Sequence, residues 1–279
     1  MNDITVIILT KNEEANIKRC ILSVKELATR IIVVDSGSTD KTCDIAKEVG
    51  AEVVVHPFIT HGKQFNWALD TLDIKTKWVF RLDADEEVTP ELRKEISEEC
   101  VAHAEDNVNG LIVKFKIYFL GKFLKHGGVY PFYRTTIFKY GKGYIDEVGM
   151  RDQTIITEGE LLYLKNDCLH YDFKSLENWI SKHNWYSTLE TTNYEQATKD
   201  DTDANLPESA KKTRKARNNL YYKLPKYFRA KLYYWYRYYL KLGFLDGEAG
   251  RIHAFMQAYW YRYLIDAKIY EMETKKNGK

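Results

Sequence analysis

The sequence predicts an α/β fold, a mostly parallel sheet flanked by helices, followed by an α-helical C-terminal appendage. Three observations predict it. Apolar runs of strand length alternate with helix-period segments through the first hundred residues. Those runs are apolar throughout, as strands covered on both faces must be. After a change of pattern near residue 110, the chain ends in a basic, tyrosine-rich stretch with helical periodicity.

The elements follow in order. "ITVIILT" (4–10) is the first strand, and Ile17, Cys20, Ile21 and Val24 then recur at helical spacing. "RIIVVDS" (30–36) is a strand, and the next helix takes Ser38 or Thr39 as its N-cap and stops before Gly50. "EVVVHP" (52–57) is the third strand, "KQFNWALDTL" a helix and "KWVFRLDA" the fourth strand. Thr89 caps a further helix with Pro90 in its first turn, where a missing N–H costs nothing. "GLIVKFKIYFLG" and "RTTIFKYG" read as longer strands around a "KHGGVYP" turn, and residues 175–197 as a helix. "KDDTDANLPES" (199–209) has the composition of a mobile loop or linker.

Composition narrows the class. With 44% hydrophobic and 29% charged residues, a disordered or collagen-like chain is excluded. Four cysteines without a C-x-x-C pair offer neither a disulfide framework nor a zinc site, so reduced thiols in a cytoplasmic protein are expected. The N-terminus reads as a strand rather than a signal peptide, and no apolar run is long enough to span a membrane. The net charge of +2 conceals an asymmetry, because Ser209 to Leu245 carries eleven Lys or Arg and no Asp or Glu. The rest of the chain, 31 basic against 40 acidic residues, has a net charge of −9, so the basic stretch is expected to meet an anionic partner.

Ligands of parallel sheets bind at the C-terminal ends of the strands. Three of these ends are polar here: Thr10 to Glu14, Asp35 to Asp40, and Asp83 to Glu87. The cluster Asp83, Asp85, Glu86, Glu87 admits three readings: a solvated helix start, a general acid/base pair, or a site for a hard divalent cation completed by phosphates and water. In an extended segment Asp83 and Asp85 share a face. The chain has no "GxxxxGK[ST]" and no "GxGxxG" after its first strand, which argues against P-loop and dinucleotide sites. A nucleotide diphosphate held through a metal fits what remains.

In this order and spacing, "VIILTKNEEANI", "IIVVDSGSTDKT", "HGKQFNWAL" and "RLDADEE" resemble the family 2 glycosyltransferases of GT-A fold. "HGGVYP", "LHYDFKSLENWISKHNWYS" and "GFLDGEAG" are similar to a bacterial subgroup that builds lipopolysaccharide core and exopolysaccharide. The resemblance implies an inverting, metal-assisted transfer from a nucleotide-sugar donor, UDP-linked, to a saccharide on a lipid carrier or lipopolysaccharide core. It places Thr10, Asn12, Glu14, Asp35, Lys63, Gln64 and Asp83 around the donor. Mg²⁺ or Mn²⁺ would sit at Asp85, with Asp83 and His170 beside it. The base that deprotonates the acceptor falls to Glu147, with Asp152 as the rival, because "IDE" stands here where the subgroup often has "VHE". His126, Gly127 and Gly128 would shape the acceptor side. The expected division is a catalytic domain over 1–198, with a nucleotide-binding half (1–109) and an acceptor half (110–198), the linker 199–209, and a membrane-associating region 210–279.

On a helix wheel, residues 227–242 put Phe228, Leu232, Trp235, Tyr239 and Leu242 on one face, and Lys226, Arg229, Arg237 and Lys241 on another. Such a helix suits an anionic membrane surface, which predicts a protein peripheral to the inner face of the cell membrane. Packing on the catalytic domain and homo-oligomer formation are the competing uses, while the motifs leave nucleic acid no role. Two other functions stay open: a sugar nucleotidyltransferase, although its glycine-rich loop is absent, and a non-catalytic nucleotide-sugar-binding protein.

Overall fold

The computed structural model describes residues 3–145, 155–171, 175–192, 221–276 and 278. They fall into two compact units, one of residues 3–116, 132–145 and 155–171, the other of 117–131, 175–192, 221–276 and 278.

In the first unit, β1 (Ile4–Thr10) lies between β2 (Arg30–Asp35) and β4 (Trp78–Asp83), with β3 (Glu52–Val55) outside β2, all parallel. β1 is buried along almost its whole length, as a central strand covered on both faces must be. Beyond β4 the sheet turns antiparallel through β8 (Phe132–Lys139) and β6 (Val108–Phe119), then β11 (Glu160–Tyr171) and β5 (Glu86–Val88). The expected α/β class is therefore observed. β9 (Gly143–Ile145) and β10 (Ile155–Thr157) form a separate antiparallel pair, and β7 (Lys122–Phe123) pairs with the end of β6.

The helices follow their sequence signals. α1 (Ile17–Val24) buries Ile17, Cys20, Ile21 and Val24, and α3 (His61–Thr71) is capped by the Thr60 hydroxyl. α4 (Pro90–Ala102) has Thr89 as its cap, accepting from Leu92 N–H at 3.2 Å. α2 (Thr42–Glu48) starts later than expected. Ser38 and Thr39 bond to Asp35 and Asn12 instead, and the Asp40 carboxylate takes the Thr42 N–H at 3.0 Å. Gly50 ends that helix at φ +96°, in the left-handed region that favours glycine.

The second unit packs α5 (Leu176–Thr192) with α6 (Phe228–Trp235), α7 (Gly247–His253) and α8 (Tyr261–Lys276). π-helical turns at Tyr236–Leu240 and Ala254–Trp260 lie among them. Its core gathers Phe119, Leu124 and Trp179 against Ile180, Met256 and Trp260, with Tyr261, Ile265 and Ile269 beyond. Among the described residues no helix is long and apolar enough to cross a membrane, and the four cysteines are free. The expected linker 199–209 lies outside the described residues.

Candidate functional site

Register brings the polar strand ends together. Thr10 is aligned with Asp35 on one side of β1, and Leu9 with Asp83 on the other. Successive crossovers run outward through β2 and β3, then β4 pairs on the opposite flank of β1, so the crevice opens at a reversal of strand order.

The first two ends are knitted to each other. Asn12, at φ +55°, donates its N–H to Ser38 Oγ and accepts from Thr39 N–H, both at 2.8 Å. Glu14 accepts from Lys41 N–H and donates its own N–H to Asp40, both at 3.2 Å. Asp35 is buried, and its carboxylate accepts from the N–H groups of Gly37 and Ser38 at 2.8 Å and from the Ser38 hydroxyl. Asp35 thus builds the turn that follows β2. Thr10 is also buried, but its hydroxyl has no hydrogen-bond partner among the described residues.

On α3, Lys63 is exposed and Gln64 is wholly buried. Gln64 donates to Ser36 Oγ at 3.2 Å and to the His56 carbonyl at 3.0 Å, and its oxygen lies 2.8 Å from His56 Nδ1. It latches the helix to the loop after β2.

Asp83, the last residue of β4, holds two arginines. Asp83 accepts from Arg81 Nη2 and from Arg134 Nη1, each at 3.1 Å, one on each carboxylate oxygen. Arg134 also pairs with Glu86, which is fully buried and accepts the Asp83 N–H at 3.0 Å. Burial alone would raise the Asp83 pKa, but Arg81 and Arg134 outweigh it and hold the carboxyl well below the usual range. Pairing of β11 with β5 sets His170 opposite Glu86. Its Nδ1 is 3.5 Å from Glu86 and its Nε2 3.6 Å from Asp85. Burial lowers the His170 pKa, yet Asp85 and Glu86 bring it up to about 9.

These carboxylates suit a cation that arrives with its own ligands. Among the described residues no group of three or more His, Cys, Asp or Glu is arranged to hold a metal. Asp83 has both oxygens engaged by arginine, whereas Asp85 faces only His170 among the described residues and keeps 19% of its side chain exposed. Mg²⁺ and Mn²⁺ need one or two carboxylates when phosphate and water complete the shell, and Asp85 meets that requirement.

Glu86 was part of the acidic cluster that the sequence marks, whereas Arg81 and Arg134 are the members to which the sequence assigned no role. Arg81 had a signal, because it precedes Asp83 by two residues in a strand and so shares its face. Arg134 had none, since it arrives from β8, 51 residues along the chain. Glu147 and Asp152 lie outside the described residues.

The remaining candidates belong to the second unit. His126 Nδ1 is 2.7 Å from Asp246, and its N–H donates to the same carboxylate at 2.8 Å. Gly127 donates to the Lys241 carbonyl at 2.8 Å, and Arg237 donates to the Gly127 carbonyl. Gly127 and Gly128 both have φ near +65°, and a Cβ on Gly127 would lie 3.4 Å from Gly243 Cα, so this pair of glycines serves close approach to the chain itself. The expected basic stripe is largely consumed. Lys226 bonds Glu273 at 2.5 Å, and Arg229 is buried against Asp266, each 1% exposed. Trp235 and Lys241 remain exposed.

The family model described as Glycosyl transferase family 2 matches residues 5–151. An uncharacterized glycosyltransferase of Rickettsia typhi (strain ATCC VR-144 / Wilmington) is 32% identical over 198 residues, 67% of this chain and 66% of that protein. The match thus spans just under two thirds of that relative's length. The lipopolysaccharide core biosynthesis glycosyltransferase LpsC of Rhizobium meliloti (strain 1021) is 29% identical over 98% of this chain and 94% of its own. Among solved structures, glucosyl-3-phosphoglycerate synthase from Mycobacterium tuberculosis, in complex with Mn²⁺, UDP and phosphoglyceric acid, is similar at 26% identity. That likeness covers 42% of this chain and 43% of that one, with a TM-score of 0.33. Since the family model matches more than half of its 279 residues, the chain belongs to glycosyl transferase family 2.

Proposed function

We propose that the protein is an inverting, metal-assisted glycosyltransferase that takes a sugar from a UDP-linked donor and passes it to a saccharide on a lipid carrier or lipopolysaccharide core. The observation that carries this reading is the register of β1, which sets Thr10 beside Asp35 and Leu9 beside Asp83 at one crevice. The near full-length similarity to a lipopolysaccharide core glycosyltransferase supports the acceptor class.

In this reading the turn built by Asp35, Asn12 and Glu14 receives the nucleoside, and the Thr10 hydroxyl finds its partner in the donor. Lys63 stands exposed at the start of α3 as a second donor contact, while Gln64 fixes that helix. Asp85 would hold Mg²⁺ or Mn²⁺, which would supply the charge that neutralises the diphosphate as a leaving group. Asp83, pinned by two arginines, orients the loop that carries Asp85 and leaves His170 beside it. The acceptor oxygen bonds to the anomeric carbon as the bond to the nucleoside diphosphate breaks. The leaving diphosphate keeps the electron pair, and a carboxylate takes the hydroxyl proton. Glu147 is assigned as that carboxylate on its position in the sequence, with Asp152 as the alternative.

Transfer assays on purified protein test the reading. Glu147→Gln should abolish transfer while a metal-dependent thermal shift with UDP persists, because the donor site is untouched. Asp85→Asn should lose both. Full transfer activity in both variants would overturn the assignment.

A further inference from the structure

The second unit carries an exposed aromatic surface to which none of the residues assigned above to the donor, the metal or the base belongs. Trp235, Tyr239, Phe255 and Tyr263 are each between 41% and 51% exposed. They belong to one continuous aromatic plate. Trp235 contacts Tyr239 at 6.3 Å, Tyr239 contacts Tyr238 at 5.0 Å, and Tyr238 stacks on Tyr234 at 5.5 Å. Tyr234 then meets Tyr259 at 6.4 Å, which touches Phe255 at 5.6 Å and Tyr263 at 5.8 Å. At the edge of this plate the chain turns a tight corner. Leu242 sits at φ +58°, Leu245 donates its N–H to the Leu242 carbonyl at 3.0 Å, and Phe244 reaches Tyr238 at 6.2 Å. The corner leaves Leu240, Leu242, Phe244 and Leu245 in solvent, each more than 40% exposed.

We infer that this plate and corner form an interfacial docking surface for an anionic lipid bilayer, with the 240–245 corner as the inserted wedge. A contiguous apolar patch of this kind needs a partner. Charge selects which one. Residues 221–245 contain six Lys or Arg and no carboxylate. Lys226, Arg229 and Arg237 are spent inside the unit, and Lys223, Lys231 and Lys241 are exposed. Tyrosine and tryptophan have apolar bodies and polar tips, which suit the headgroup layer, and lysines beside them attract anionic headgroups. A second copy docked face to face would bring the same lysines against each other, so self-association is disfavoured on this surface. The inference does not depend on which sugar is transferred or on which carboxylate acts as base.

Co-sedimentation of the full chain with phosphatidylcholine vesicles, with and without phosphatidylglycerol, tests it. Binding to the anionic vesicles is expected. Lys231→Gln with Lys241→Gln should weaken it about thirtyfold, by removing two headgroup attractions. Phe244→Ser with Leu245→Ser should weaken it by at least roughly tenfold, by removing two buried apolar groups. Both pairs are exposed, and an unchanged melting temperature confirms that the fold is intact. Failure to sediment with either vesicle, equal binding to both, or binding indifferent to the substitutions would overturn the inference. So would a concentration-dependent dimer that disappears in Phe244→Ser with Leu245→Ser, since the surface would then be a self-interface.

Discussion

Each unit of the protein buries a charged cluster, and the two clusters are built to different ends. In the second unit Arg229 and Asp266 are sealed together, and Glu190 accepts from Tyr222, Tyr261 and Arg262 at 2.9 to 3.0 Å. Every charge there meets another part of the same unit. In the first unit Arg81 and Glu86 are equally buried, but the cluster rises to Asp85 and His170, which stay partly open. Burying ions costs several kcal/mol apiece before any attraction is counted. The second unit gains only internal geometry from that outlay, whereas the first gains a fixed carboxylate facing solvent.

The sharpest test of this contrast removes one partner of the sealed pair. Arg229→Ala leaves Asp266 buried without its cation and should cost about 3–5 kcal/mol in urea unfolding. Replacing both, Arg229→Met with Asp266→Leu, should recover most of that loss, because an apolar pair of similar volume needs no desolvation. If the double variant stays as unstable as the single, the cluster does more than hold shape.

Acid tests the sealed unit in another way. Burial lowers the His183 pKa to about 4 and, with help from Arg237, the His253 pKa to about 3. An unfolded histidine takes its proton near pH 6.5, so the neutral folded forms favour the native state above that pH. Their contribution is lost as pH falls from about 6.5 toward the folded values, by about 3 kcal/mol for His183 and about 5 kcal/mol for His253. Chemical denaturation between pH 7 and pH 4, compared with His183→Phe, checks the sign. The stacked contact of His183 on Trp179 at 3.5 Å tolerates a phenyl ring, and the variant should lose part of the acid sensitivity.

The open cluster predicts the opposite balance between stability and function. Arg134→Met with Glu86→Leu removes two buried charges together, so it should cost less stability than Arg134→Met alone, which leaves Glu86 buried without its cation. Transfer should fall roughly 10- to 100-fold, the range seen when groups supporting a metal ligand are lost. A variant that folds and transfers normally would make this cluster as purely structural as the other.

How much of this was legible in the sequence depends on the distance between partners. The parallel half was plain, because a strand covered on both faces shows itself as an unbroken apolar run, and β1 and β2 occupy the segments that the runs mark. The face of α1 was equally plain from its 3.6-residue period. β5 was hidden, since "EEV" reads as the acidic start of a helix until β11 pairs with it from far along the chain, with Cys168 opposite Val88 and Leu169 opposite Glu87. Arg229 misled for the same reason. A helix wheel gives the direction of a side chain but cannot know that Asp266, 37 residues on, waits to cover it. Asp83 and Asp85 were recognisable as a pair, yet one of the arginines that fixes Asp83 comes from β8, which no local pattern connects to β4.

The smallest expected effect separates the two clusters most cleanly. Each unit contains a buried hydroxyl without a hydrogen-bond partner among the described residues, Thr10 at the end of β1 and Tyr221 beside Arg229. A buried hydroxyl that makes no bond has already lost its water, so replacing it with an apolar isostere is nearly neutral or mildly stabilising. Thr10→Val and Tyr221→Phe should therefore both leave the melting temperature unchanged or slightly raised. They should part in the presence of ligand. If the Thr10 hydroxyl is satisfied by the donor, Thr10→Val should raise the KM for nucleotide sugar by roughly five- to tenfold, the worth of one hydrogen bond of about 1 kcal/mol. Tyr221→Phe should leave kcat and KM where they are, because Arg229 and Arg262 beside it are already paired with Asp266 and Glu190. An equal, absent response in both variants would return Thr10 to the core of the sheet and move donor contact to other residues at the strand ends.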